Sequence, residues 1–143
     1  MRKAVQIAVV SALIVFSGRV IASEKLDGKW QTTLTCPAKG QTEGYTWKFV
    51  GEIQGGVYKG ERGTADEPGY FLLQGPVADD GKAKLTASGI VALREYARGV
   101  FAHKGESYSY DVKAHFDDGK GSGMRDQGLG IVGRPCTFDF VKQ

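Results

Sequence analysis

The chain has 143 residues, of which 24% are charged, and its formal net charge is +3. This length is enough for one ordinary domain but not for two. Residues 1–22 contain Arg2, Lys3 and Arg19 and no acidic residue, so residues 23–143 carry 16 basic and 16 acidic side chains. A domain with no net charge argues against a broad basic surface for nucleic acid or anionic lipid.

The N-terminal segment 1–22 has the pattern of a secretion signal. A basic start is followed by a mainly apolar stretch, 4–16, and by the small-residue ending Val20-Ile21-Ala22. The apolar stretch is too short to span a bilayer comfortably as a permanent helix. We predict cleavage after Ala22, which leaves a single periplasmic or secreted domain over 23–143 with no transmembrane segment. An uncleaved N-terminal anchor is the alternative.

Apolar and polar residues alternate along most of the remaining chain, as they do in antiparallel sheets with one buried face. Turn signals rich in Gly and Asp separate the alternating runs at hairpin spacing. The sequence predicts eight strands, at 28–36, 45–53, 56–63, 69–75, 82–90, 107–116, 119–126 and 134–141. The third and seventh have the weakest pattern, because they are rich in Gly and charge. The long connection 91–106 has room for a helical turn around Leu93 to Ala97.

The two cysteines, Cys36 and Cys136, predict how the sheet closes. In an eight-strand meander the first and last strands run antiparallel where they meet, which brings the end of the first to the start of the eighth. Both cysteines also share the inward parity of their apolar neighbours. We therefore predict a Cys36–Cys136 disulfide, as expected in an oxidising compartment. The predicted fold is all-β, a small up-and-down barrel, with a two-sheet β-sandwich as the alternative.

A barrel of eight strands is either filled by its own side chains or holds one small ligand. The predicted inward residues are mostly large and aromatic: Trp30, Leu34, Tyr45, Trp47, Phe49, Leu85, Tyr108, Tyr110, Val112, Phe116, Phe138 and Phe140. Simple filling of the core is the favoured interpretation, given the packing density of protein interiors. In the alternative, Trp47, Tyr108 and Tyr110 surround a pocket and their polar tips orient a small molecule.

Signals for catalysis or metal binding are sparse. His115 is expected on the solvated outer face, while His103 lies in the connection 91–106 together with Arg98. These last two are candidate ligand contacts, and we predict no catalytic residue, no metal site and no cofactor. Arg125 and Arg134 would share an anion-binding patch if the seventh and eighth strands pair, although ordinary surface roles are commoner.

The expected function is a non-enzymatic binding or interaction module that engages a small apolar molecule or a protein partner. A periplasmic protein inhibitor or envelope stress factor is the alternative, with the connection 91–106 as its contact surface, since long loops in compact domains are often functional. An enzyme is the least expected class. The sequence does not indicate an oligomeric state.

Several segments together resemble a family of small exported proteobacterial proteins of unknown function. They are Trp30-x-x-x-Leu34-x-Cys36, Gly44-Tyr45 with Phe49, Pro68-Gly69, Tyr108-x-Tyr110-x-Val112-x-Ala114-x-Phe116, Gly121-x-Gly123-x-Arg125 and Gly133-Arg134-Pro135-Cys136-x-Phe138-x-Phe140. The resemblance covers nearly all of 23–143, and the Gly-Arg-Pro-Cys ending is its most specific part. Additional residues, 126–132, precede that ending in this chain. The resemblance implies an exported compartment and the fold, and it brings no activity and no site residues.

Overall fold

The computed structural model describes residues 24–93, 103–127 and 133–143. Its strands are β1 (Gly28–Cys36), β2 (Tyr45–Gln54), β3 (Val57–Arg62), β4 (Phe71–Pro76), β5 (Lys82–Ile90), β6 (Ser107–Phe116), β7 (Lys120–Arg125) and β8 (Thr137–Lys142). Every strand end lies within three residues of its predicted position. A helical turn was predicted around Leu93 to Ala97, and all of that segment after Leu93 lies outside the described residues. Within the described ranges, no helix is long and apolar enough to cross a membrane.

The eight strands form one closed antiparallel barrel in which each strand pairs with its neighbours in sequence. β1 and β8 close the barrel with a register that places Leu34 opposite Phe138. The tight turn between β2 and β3 uses Gly55 and Gly56 at φ values of 58° and 76°, which the two-residue hairpin with right-handed strand twist requires. The predicted up-and-down barrel is confirmed, and the sandwich alternative is wrong.

The predicted disulfide between Cys36 and Cys136 is present at the junction of β1 and β8. The two Cα atoms lie 4.2 Å apart and the sulfurs are separated by 2.09 Å. Both residues are buried, at 1% and 2% exposure. A buried bridge across the closing strands is consistent with folding in an oxidising, exported location.

The two ends of the barrel differ in their connections. At the end that we call the hairpin end, short turns join β2 to β3, β4 to β5 and β6 to β7. The opposite end, which we call the disulfide end, holds the Cys36–Cys136 bridge and the longer connections 37–44, 63–70, 91–106 and 126–136.

The hairpin end of the lumen is filled by aromatic side chains that are almost completely buried. The ring of Phe116 lies 5.1 Å from Trp30 and 4.5 Å from Phe140, measured between ring centroids. The indole N–H of Trp30 donates a hydrogen bond of 2.9 Å to the carbonyl of Leu26, so its one polar group is satisfied. The interpretation that aromatic rings fill the core therefore holds for this half of the barrel.

Tyr58 fills the middle of the lumen because two glycines leave room for its ring. Gly51 and Gly60 face each other on β2 and β3, and a Cβ on Gly60 would lie 2.7 Å from the Tyr58 hydroxyl oxygen. That hydroxyl shares a buried hydrogen bond of 2.5 Å with the Thr32 hydroxyl. Burial raises the pKa of Tyr58 to about 12, so the group stays protonated and uncharged at neutral pH.

Candidate ligand-binding site

A cavity of about 280 Å³ lies at the disulfide end of the barrel. Its walls come from the first residues of β2, from β6, and from the end of β5 with the residues that follow it. Arg125 at the end of β7 and the segment leading into β8 complete the lining, which includes Cys136 of the disulfide. One barrel therefore combines a filled half with an open half.

Four aromatic rings form the main surface of the cavity. Tyr45 and Trp47 project inward from alternate positions of β2, with ring centroids 4.5 Å apart. Tyr108 and Tyr110 project from β6, with rings nearly parallel at 8° and centroids 6.3 Å apart. All four are partly buried against the core. They offer flat apolar faces together with polar tips, a combination suited to holding and orienting a ring-containing molecule.

The packing beneath these rings fixes their positions. The rings of Trp47 and Phe71, a fully buried core residue, meet in a T-shaped contact with centroids 5.6 Å apart. Tyr108 lies across Gly89 of β5, its cross-strand partner, where a Cβ would lie 2.5 Å from the tyrosine hydroxyl oxygen. A side chain at residue 89 would displace Tyr108, so this glycine is needed for the shape of the cavity.

Three arginine side chains stack on rings of this group. The guanidinium carbon of Arg62 lies 4.4 Å from the centroid of Trp47, and that of Arg125 lies 4.4 Å from the centroid of Tyr110. Arg134 lies 5.0 Å from the centroid of Tyr45. A guanidinium that contacts a ring through its flat face keeps the N–H groups at its edge available. Those groups can donate hydrogen bonds to acceptors that lie in the plane of the guanidinium.

Two of these arginines are also held by the backbone. Arg134 is only 6% exposed and donates a hydrogen bond of 2.6 Å to the carbonyl of Glu43. Arg62 donates to the carbonyl of Gly69 at 3.3 Å. These bonds position the positive charges beside the aromatic rings instead of leaving them to sample the solvent.

The phenol groups of the cavity remain uncharged at neutral pH. Burial raises the pKa of Tyr45, Tyr108 and Tyr110, and it outweighs the neighbouring arginines, which act in the opposite direction. A neutral hydroxyl is still a hydrogen-bond donor. The hydroxyl oxygen of Tyr110 is buried and has no hydrogen-bond partner in the described part of the protein. The chemistry that this arrangement provides is ring stacking together with hydrogen-bond donation.

The structure brings three of the five predicted ligand contacts together, places a fourth elsewhere and does not describe the fifth. Trp47, Tyr108 and Tyr110 line one cavity. His103 is exposed, is not part of the cavity wall, and donates its backbone N–H to the Glu106 carboxylate at 3.0 Å. Arg98 lies outside the described residues. Whether the first three bind a ligand stays a prediction.

Two further predictions concern residues outside this set. A shared patch of Arg125 and Arg134 was predicted on the condition that the seventh and eighth strands pair. β7 and β8 do pair, and both arginines line the cavity. His115 is exposed on β6, as expected, with its Nε2 atom 3.1 Å from the carbonyl oxygen of Asp80. Among the residues that the structure describes, no group of three His, Cys, Asp or Glu side chains is placed to hold a metal ion.

Sequence reasoning did not select Tyr45 and Arg62 as site residues, although a signal for both exists. Tyr45 shares the inward parity of Trp47 on β2, and Arg62 shares the inward parity of Tyr58 on β3. A charged residue at the last inward position of a strand marks the point where a lumen meets solvent.

The fold and the cavity define a small closed barrel that is filled at one end and lined by rings and guanidinium groups at the other. Comparison of the chain with protein-family models, curated proteins and solved structures finds no significant match in any of the three. The family resemblance of the sequence stays a prediction.

Proposed function

We propose that this protein is an exported, non-enzymatic binding protein that holds a small, flat, largely apolar molecule at the disulfide end of its barrel. The observation that carries the proposal is the cavity of about 280 Å³ bounded by Tyr45, Trp47, Tyr108 and Tyr110. A dry cavity of roughly 150 Å³ accepts one benzene molecule. By that measure the present cavity has room for about two fused rings.

Packing density supports a ligand in this space. Protein interiors are filled to the density of organic crystals, and voids larger than a water molecule are few. The hairpin end shows that this chain fills its lumen with aromatic rings where nothing else has to enter. At the disulfide end, rings of the same kind remain only partly buried. Covering them with a ligand would remove that apolar surface from water.

The two tryptophans of the chain allow a direct test with an internal control. Trp47 lines the cavity, whereas Trp30 is fully buried at the hairpin end. We expect saturable binding of naphthamide, a neutral molecule of two fused rings. In proton–nitrogen correlation spectra, the indole signal of Trp47 should shift and that of Trp30 should not, and Trp47→Phe assigns the signals. Equal shifts of both signals, or no shift with either naphthamide or its carboxylate analogue naphthoate at millimolar concentration, would contradict the proposed site.

Export of the protein is the second part of the proposal. The basic and apolar pattern of residues 1–22 supports it, and so does the disulfide. When the chain is produced in a Gram-negative host, the periplasmic protein should have the intact mass of 23–143 with one disulfide and no thiol that reacts with a labelling reagent. A mass that includes Met1, or recovery in the cytoplasm only, would count against export.

The alternative of a protein inhibitor or envelope stress factor depends on the connection 91–106. Residues 94–102 lie outside the described part of the structure, so the geometry offers no observation that favours this function over ligand binding.

A further inference from the structure

Two hydrogen-bond donors in the cavity have no acceptor within the described part of the protein. The Arg125 guanidinium lies over the ring of Tyr110, and in residues 24–93, 103–127 and 133–143 it makes no hydrogen bond and no ion pair. The hydroxyl oxygen of Tyr110 is buried without a partner. The two unpartnered groups belong to side chains that touch each other.

Leaving the buried Tyr110 hydroxyl without a partner is costly, whereas the Arg125 guanidinium is half-buried and lies at the surface of the cavity. A buried polar atom that has lost water and gained no hydrogen bond destabilises the folded protein, and native structures contain few of them. The guanidinium can only donate, because it has no acceptor atom and stays charged in proteins. The neutral tyrosine hydroxyl is also a donor. The missing group is therefore an acceptor, and a negatively charged oxygen is the acceptor that binds a guanidinium most strongly.

The charges around the cavity also favour a negatively charged acceptor. Arg125 and Arg134 line the cavity, and Glu106, the one carboxylate in its wall among residues 24–93, 103–127 and 133–143, accepts the backbone N–H of His103. Asp126, the neighbour of Arg125 in sequence, pairs instead with Lys113 on the outer face, at 2.9 Å. Neither of these two described carboxylates, Glu106 and Asp126, forms an ion pair with the Arg125 guanidinium.

We propose that the ligand is an organic anion with an aromatic ring system. Its rings lie against Trp47 and Tyr108, and its carboxylate or equivalent oxyanion accepts hydrogen bonds from Arg125 and from the Tyr110 hydroxyl, which is buried in this structure and turns toward the cavity when the ligand binds. This inference rests on the proposed ligand-binding function and names the chemical class of the ligand. A planar carboxylate matches the edge of a guanidinium, which donates two parallel N–H groups.

Naphthoate and naphthamide provide a matched pair of probes, since they share the ring system and differ in charge. Binding of both to the intact protein at neutral pH is measured by calorimetry. We expect naphthoate to bind at least about 10-fold more tightly, as is typical of a hydrogen bond to a charged group. Arg125→Gln should remove most of this preference, which is measured as the ratio of the two affinities within the same variant. Tyr110→Phe should weaken naphthoate selectively as well.

A control variant separates local contact from general charge. Lys84→Gln removes one positive charge from the exposed outer face of β5, next to β6, and should leave the ratio of the two affinities within about 2-fold because exposed charges are screened. Thermal unfolding verifies that each variant is folded. If Arg125→Gln does not fold, the comparison of the two probes on the unaltered protein and on Tyr110→Phe still decides the matter.

Each negative outcome has a distinct meaning. If naphthamide binds as tightly as naphthoate, the ligand is not selected by charge and this inference fails, while the proposed binding function stands. If neither probe binds, the proposed function fails and the inference fails with it. If naphthoate is preferred and Arg125→Gln leaves the preference intact, the acceptor site has been assigned to the wrong residue.

Discussion

Replacing Cys36 by serine is expected to lower the free energy of unfolding by about 2–5 kcal/mol. The bridge joins residues 100 apart in sequence, and it therefore restricts nearly the whole unfolded chain. In the chain-entropy model a loop of this size corresponds to about 4.7 kcal/mol. The substitution also places a hydroxyl in a site that is 1% exposed. Urea unfolding of the oxidised protein and of the variant, monitored by circular dichroism, measures the difference.

The single variant leaves Cys136 as a free thiol, so the control is the double variant Cys36→Ser, Cys136→Ser, together with the unaltered protein under reducing conditions. All three should lose comparable stability. An unchanged urea midpoint would show that the β1–β8 hydrogen bonds alone hold the barrel closed. Cys136 lines the cavity, so loss of the bridge should also weaken naphthamide binding.

The strands were predictable because a barrel that is wet outside and dry inside forces a period of two on each of its strands. The alternation of apolar and polar residues is weak in β7 because of side chains on the neighbouring strands, which the sequence of β7 alone does not show. Its inward positions include Gly121, where a Cβ would lie 3.0 Å from the ring of Phe116 and 3.3 Å from Cβ of Phe140. The neighbouring strands supply the rings that occupy this space, so the apolar residue missing from β7 appears in β6 and β8.

The site was only partly predictable, because inward parity does not distinguish a filled end from an open one. Parity placed Phe116 and Tyr110 on the same inner face of β6, yet one lies in the packed core and the other in the cavity wall. The difference arises from the strands around them: at the disulfide end, β3 and β7 finish inward with Arg62 and Arg125 instead of apolar residues. Assigning a meaning to those arginines requires the strand order and the register of the closed barrel.

Replacing Phe116 by alanine is expected to lower the free energy of unfolding by about 3–5 kcal/mol. Its ring contacts Trp30, Tyr58 and Phe140, with centroid distances of 5.1, 5.7 and 4.5 Å, and it is 1% exposed. Removing it leaves a void among large rigid rings, which cannot collapse to refill it. Urea unfolding at neutral pH measures the loss.

Trp47→Ala is the matched variant at the disulfide end, since it also truncates an aromatic residue that faces the lumen. Trp47 is only partly buried and borders the cavity, so its removal should cost less than about 2 kcal/mol, in proportion to the smaller apolar area that it buries. Naphthamide binding should show the reverse order, with Trp47→Ala losing at least about 10-fold in affinity and Phe116→Ala, at temperatures where it remains folded, losing little. If the two truncations cost the same stability, the disulfide end is as tightly packed as the hairpin end. That result would contradict a binding site in the cavity.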